Sequence, residues 1–209
     1  KAGALPPVVL CDVTGRDLDG ELIAVPVEWD ASQLGPLPRI LVHMPRKAKP
    51  GMPVPGVGDR SPLWMVIGEA PGEQEDKRGE PFVGKAGQLL DAMLAAVGKK
   101  RGDGVYIANV IKCRPPGNRN PEPDEIAACE PYLRRQIALA QPKLLLAAGK
   151  FSGQTLLNRE DTVGAMRASG GNYESIPVVV TYHPSYLLRT PTEKAKAWDD
   201  LMKACTLVP

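Results

Sequence analysis

Residues 63–90 read LWMVIGEAPGEQEDKRGEPFVGKAGQLL, and this stretch decides the fold. The run 63–67 is apolar and of strand length, and it stops at Gly68. The turn GEAPG then delivers Glu69, the acidic segment EQED delivers Glu75 and Asp76, and Phe82 follows between Pro81 and Val83. Open α/β sheets bind ligands just beyond the carboxyl ends of their strands, so a site is expected here.

Working outward, strand-length apolar runs recur at 105–111, 143–148 and 177–182, with helical patterns between them. Leu89, Leu90, Met93, Leu94 and Val97 repeat at helical spacing and stop at Gly98, while Pro123, Asp124 and Glu125 make a favourable helix start. This β-α alternation with right-handed crossovers predicts an α/β fold: a three-layer α/β/α sandwich around a central, mostly parallel four-stranded sheet. Glu69, Asn109, Gly149 and His183 all fall at or just beyond strand ends, so they should converge on one edge. Polar loops alone would also produce such a convergence. Residues 1–62 are rich in Pro and Gly, with short strands expected at 8–10, 22–29 and 40–42 and an extended connector at 45–58. We divide the chain into an atypical amino-terminal segment, 1–53, and a regular α/β domain, 54–209.

With 209 residues, 43% apolar and 24% charged, the chain is long enough for one well-buried core. A net charge of +2 does not by itself signal nucleic acid, so any basic surface must come from local clustering. No run approaches the eighteen or so apolar residues of a membrane span, and residues 1–9 lack the features of a signal peptide. The expectation is a cytoplasmic protein with no membrane partner. Four cysteines do not make a disulfide scaffold at this size; they serve as thiols or bind metal.

Three residues carry the chemistry. His183, in TYHPSYLLR, directly follows an apolar run, and Pro184 stiffens the turn behind it. A neutral imidazole there donates to an oxygen gaining negative charge, and a charged one stabilises a leaving anion. Asn109 ends VYIAN, and its amide offers the donor and acceptor that nucleobase edges complement; the alternative is a local turn bond. Phe82 offers a face for a planar ring or an ordinary core side chain.

Taken together, these residues and the motifs around them resemble the family 4 uracil-DNA glycosylases, the thermostable iron–sulfur branch of that superfamily. The resemblance runs from about residue 54 to 201 and rests on GEAPGEQED with GEPFVGKAGQLLDAML, on VYIANVIKCRPPGNRNPEPDEIAACEPYLRRQI, and on VVVTYHPSYLLR. Agreement of three separated motifs in order is far more specific than any one of them. The resemblance implies a uracil pocket formed by Gly68, Ala70, Phe82 and Asn109, with Phe82 stacking on the base and Asn109 reading its amide edge. It makes Glu69, Glu75 and His183 the catalytic group: Glu69 beside sugar and water, His183 beside the departing base. Ala70 cannot act as a base, which leaves the water-activating group open.

The implied reaction is hydrolysis of the N-glycosidic bond of deoxyuridine in DNA, giving free uracil and an abasic site without any cofactor for the chemistry. A binding module of the same fold that has lost turnover is the alternative; the presence of both Glu69 and His183 favours the enzyme. The partner is uracil-containing DNA, single- or double-stranded, engaged by a monomer. A base inside a duplex must be flipped out to reach such a pocket. Leu187 and Leu188 are candidate wedges, Ser185 and Arg189 candidate phosphate ligands, and Asn118, Arg114, Arg119 and Lys112 a candidate DNA surface.

The family also implies a [4Fe–4S] cluster held by four cysteines. Cys113 and Cys129 match its downstream pair, but the upstream positions fall near residues 41 and 44, which here are Leu41 and Met44. Two thiolates do not supply the usual four ligands. Cys11 would enter only if the amino-terminal segment folds back, His43 would be an atypical substitute, and Cys205 lies outside the motifs. The remaining expectation is that Cys113 and Cys129 persist as small buried thiols.

Overall fold

The computed structural model describes residues 53–209. The strands expected at 8–10, 22–29 and 40–42, the division at residue 53 and the fate of Cys11 and His43 lie outside the described residues.

Among the described residues six strands form one sheet: β1 (Val57–Gly58), β2 (Trp64–Gly68), β3 (Val105–Asn109), β4 (Leu144–Ala148), β5 (Gly171–Tyr173) and β6 (Ile176–Thr181), in the order β1-β3-β2-β4-β6-β5. The four expected strands are β2, β3, β4 and β6, and they are mutually parallel. β1 and β5 are additions, pairing antiparallel at the two edges. Their two and three residues are too short to carry a periodic signal. β1 also corrects the carboxyl end of the connector read at 45–58, whose residues 45–52 lie outside the described residues: Val57 and Gly58 enter the sheet, and Val54 is fully buried with its N–H donating to the Lys112 carbonyl at 2.7 Å.

Seven α-helices of the described residues complete the layers: α1 (Glu73–Arg78), α2 (Lys85–Ala96), α3 (Pro123–Ala140), α4 (Lys150–Leu157), α5 (Val163–Ser169), α6 (Pro184–Arg189) and α7 (Lys194–Leu207). β2, β3 and β4 are buried at every position, so both sheet faces must be covered, as parallel sheets require. Met65, Ile67, Leu145, Ala147, Val178 and Val180 face α3, α4 and α5 through Leu133, Ile137, Leu156 and Met166. The alternate positions Trp64, Val66, Leu144, Leu146 and Val179 face α2 and α7 through Leu90, Leu94, Leu201 and Ala204. Each fully buried side chain of this kind contributes roughly 1.5–3 kcal/mol. The start of α3 at Pro123 is as expected, and Glu122 and Glu125 close a reciprocal capping box there.

The chain runs from β2 outward to β3, then crosses back to β4 on the other side of β2. The direction of winding therefore reverses between β2 and β4, and the crevice beyond their carboxyl ends is the topological switch point where ligands bind.

At the β6 edge, Arg167 of α5 reaches across to α7. Its Nε donates to Asp200 Oδ2 at 2.6 Å, an Nη donates to the Lys196 carbonyl at 2.7 Å, and its plane covers the Tyr182 ring at 4.9 Å. Burial pushes the Asp200 carboxyl up, against the pull of Arg167. Removing one partner of a buried ion pair typically costs about 3–5 kcal/mol. Arg167→Met should therefore lower the melting temperature at neutral pH by roughly 6–20 °C. In the variant Asp200 binds its proton more tightly folded than unfolded, so stability rises as pH falls and the deficit should narrow from neutral toward acid pH. Calorimetry across that range checks both the size and the sign.

Candidate active site

The register of β2 on β3 sets Gly68 directly opposite Asn109, and the ladder continues past the strand ends through Val110 N–H to the Gly68 carbonyl (2.9 Å) and Ile111 N–H to that of Glu69 (3.1 Å). A Cβ on Gly68 would stand 2.5 Å from the Phe82 ring and collide with the Asn109 amide oxygen, so only glycine lets ring and amide close over this strand end. Asn109 is buried, and its Oδ1 has no hydrogen-bond partner among the described residues. A buried acceptor left unpaired costs about 1–3 kcal/mol, a cost that a ligand N–H removes.

The Phe82 ring stacks against the imidazole of His183, with centroids 5.4 Å apart and planes inclined at 29°. His183 caps the amino terminus of α6: its Nδ1 accepts the Ser185 N–H at 3.1 Å and lies 2.8 Å from Ser185 Oγ. A ring nitrogen that accepts from a backbone amide carries no proton, which assigns the proton of the neutral ring to Nε2. Burial, aided by the charge of Arg189, pushes the pKa of His183 down to about 4. The side chain is thus a neutral Nε2–H donor at physiological pH.

Glu69 bridges β2 and β4. Its Oε1 accepts the Phe151 N–H at 3.0 Å at the start of α4, and burial holds its carboxyl above the ordinary value. Gly149, at φ 116°, makes room for that carboxylate; a Cβ there would lie 2.5 Å from Oε1. Glu75 has a backbone role of its own, its Oε1 accepting the N–H groups of Val83 (3.0 Å) and Gly84 (3.1 Å) at the start of α2.

These side chains line a cavity of about 400 Å³ that contains Glu69, Glu75, Phe82, Asn109 and His183. Ala70, Asn118, Arg119, Ser185 and Arg189 reach its wall as well. A neighbouring cavity of about 370 Å³ shares Glu69, His183, Ser185 and Arg189 and adds Lys150, Tyr182 and Tyr186.

The structure distributes the expected DNA-contacting residues unevenly. Leu187 is fully buried, because the phase of α6 turns it into the core, so it is not free to wedge. Leu188, one residue on, is 43% exposed. Lys112 is likewise no surface charge: its ammonium is buried, donates to the Asn109 carbonyl and to Gln136 Oε1, and is pushed down to about 7 by desolvation. Arg119 forks onto Glu125 with two contacts of 2.8 Å. Arg114 donates to Asn118 Oδ1 at 2.7 Å and stands 4.0 Å from Asp76. Ser185 is engaged with His183, and Arg189 is exposed at the rim.

Cys113 is exposed, not buried as expected, and Cys129 is half-buried with its sulfur accepting the Lys112 N–H at 3.5 Å. Desolvation, and then the charge of Cys129, push the Cys113 thiol up. Among the described residues no group of three or more His, Cys, Asp or Glu could hold a metal ion. The described residues supply Cys113 and Cys129, two of the four thiolates that such a cluster uses. No helix among the described residues is long and apolar enough to cross a membrane.

Sequence reasoning missed Arg101. Its guanidinium donates to the carbonyls of Pro81 (2.8 Å) and Phe82 (2.6 Å), nineteen positions away in the chain for Phe82, a separation at which no local pattern signals a contact.

A stacking face, an unpaired amide acceptor and a neutral imidazole meet at the switch point of an α/β sheet, an arrangement chemically suited to a planar heterocycle. The sequence comparisons give that arrangement its family. A model of the uracil DNA glycosylase superfamily matches residues 55–202, and the chain belongs to that superfamily. It is 42% identical to a type-4 uracil-DNA glycosylase of Archaeoglobus fulgidus over 72% of this chain and 79% of the relative. Similar relatives bearing the same description come from Pyrobaculum aerophilum, at 41% over 71% and 79%, and Thermotoga maritima, at 39% over 74% and 82%.

Ring-nitrogen NMR should find His183 as the Nε2–H tautomer near neutrality, with a midpoint of about 4. A midpoint at or above the ordinary value of about 6.5 contradicts the assignment. Because the unfolded imidazole takes its proton first, this residue withdraws stability as pH falls from about 6.5 through about 4.

Proposed function

We propose that the protein is a monofunctional uracil-DNA glycosylase that hydrolyses the N-glycosidic bond of deoxyuridine in DNA, releasing uracil and leaving an abasic site for base excision repair. The observation that carries this reading is the buried, partnerless Oδ1 of Asn109 beside the Phe82 ring. Uracil presents an N–H at N3 to that acceptor, whereas cytosine presents a lone pair there and leaves the acceptor unpaired. The similarity to relatives described as type-4 uracil-DNA glycosylases supports the same substrate.

In the proposed reaction the base leaves as an anion with charge on N1 and O2 while the sugar becomes oxocarbenium-like. The Nε2–H of His183 donates to O2, and Glu69, its direction fixed by the Phe151 N–H, opposes the charge on the sugar and orients water. Glu75 acts by bracing the Phe82 loop. Removing one donor from a developing anion typically costs about 2.7–4 kcal/mol. His183→Leu should therefore slow uracil release roughly 10²- to 10³-fold in single-turnover assays with a labelled oligonucleotide. Wild-type protein that is folded and binds uracil-DNA at micromolar concentration without releasing uracil would overturn the enzyme in favour of a binding module.

Access to the base requires flipping, at a cost of a few kcal/mol from a duplex and less from a single strand. Leu188 is the wedge in this reading and Arg189 the phosphate ligand, and a monomer acts on both single- and double-stranded DNA. The chemistry itself runs on side chains and water, without a cofactor. We further propose that the chain does not carry its family's [4Fe–4S] cluster, since Leu41 and Met44 replace the upstream ligands and only Cys113 and Cys129 remain in place. Iron and sulfide determination on anaerobically prepared protein, read with its visible spectrum, should give less than one iron per chain; about four irons would refute this.

A further inference from the structure

Phe82 has φ 55°, a left-handed backbone that a bulky side chain adopts only when its surroundings impose it. Two charged side chains impose it from opposite directions. Arg101 spans successive carbonyls, Nη1 to Pro81 O at 2.8 Å and Nη2 to Phe82 O at 2.6 Å. Glu75 gathers the next two amides, Val83 N–H at 3.0 Å and Gly84 N–H at 3.1 Å. Arg101 is itself oriented by Asp91, whose Oδ1 accepts from Nε at 3.0 Å and lies 3.0 Å from Nη2. Gly87 of α2 completes the enclosure, since a Cβ there would run into the Phe82 carbonyl.

We propose that Arg101, aimed by Asp91, is a positioning residue that fixes the Phe82 ring as the base-stacking face against His183. The inference rests on the reading of the cavity as a uracil site. Arg101 lines neither cavity, so any influence on the base passes through Phe82. A planar fork meeting two carbonyls is geometry that lysine, a point charge on a flexible stem, does not reproduce. Retaining the charge while losing the fork should therefore not restore function.

The test combines kinetics with a readout independent of turnover. Arg101→Gln and Arg101→Lys, each confirmed folded by its melting curve, should weaken inhibition by free uracil and lower kcat/KM on uracil-DNA by about 10- to 100-fold. Asp91→Asn, which leaves Arg101 in place but unaimed, should move both quantities in the same direction by less, and it serves where the Arg101 variants do not fold. In a Phe82→Leu background, Arg101→Gln should add little, because the residue it positions is gone. The ring-proton shifts of His183, which lies 5.4 Å from the Phe82 ring, should change in the Arg101 variants, since a displaced ring alters the local ring current. Full rescue by Lys, an undiminished Arg101 effect without Phe82, or unchanged His183 shifts would each overturn the proposal. A wild type that fails to release uracil while the His183 shifts move as expected would sink the glycosylase reading and leave the positioning role standing.

Discussion

The parallel pairing of β2 between β3 and β4 is the constraint on which the site depends. It puts Gly68 opposite Asn109 on one side and brings Glu69 against Gly149 on the other. A one-residue slip of either ladder would exchange the two faces of a strand that is apolar throughout, and would separate the amide from the ring that closes over Gly68. The cores on both faces hold the register: Trp64 and Val66 are committed to α2 and α7, Met65 and Ile67 to α3, α4 and α5. The cavity is the open end of a ladder whose alignment is fixed by apolar packing well below it.

Much of the charge around the cavity holds backbone in place. Glu75 and Arg101 clamp the segment around Phe82, Glu69 steadies the first turn of α4, and Arg119 and Glu125 tie the loop after β3 to the start of α3. A low-dielectric cleft needs its dipoles preorganised, because groups that must reorient during reaction lose most of their effect. The buried Lys112 belongs to the same scaffold, since it holds the Asn109 carbonyl from behind together with Gln136.

The parallel centre of the fold was legible in the sequence. Runs at 63–67, 105–111, 143–148 and 177–182 correspond to β2, β3, β4 and β6, because strands buried on both faces are continuously apolar and conspicuous. The edge strands were not legible, being too short to show a period. Glu69, Asn109 and His183 were legible as polar exceptions at strand ends, and they converge with Phe82 on one cavity, while Gly149, expected with them, lines the neighbouring one. The structure departs from expectation where a side chain's direction matters. Lys112 looked like one more basic loop residue but points inward, and Leu187 and Leu188 look alike in sequence while a helical step of 100° sends them to opposite environments. Arg101 carries no signal at all, because its importance lies in a carbonyl pair far away in sequence.

α6 is six residues long, and His183 is its amino-terminal cap. The imidazole and the exposed Leu188 are therefore mounted on one short rod, about 7.5 Å apart along its axis at 1.5 Å per residue. Leu187, locked in the core between them, is the fulcrum of that rod. If Leu188 is the wedge proposed above, the load of a separating base stack would pass through the same hydrogen-bonded turn that His183 caps, and strand opening would be coupled mechanically to the direction of Nε2.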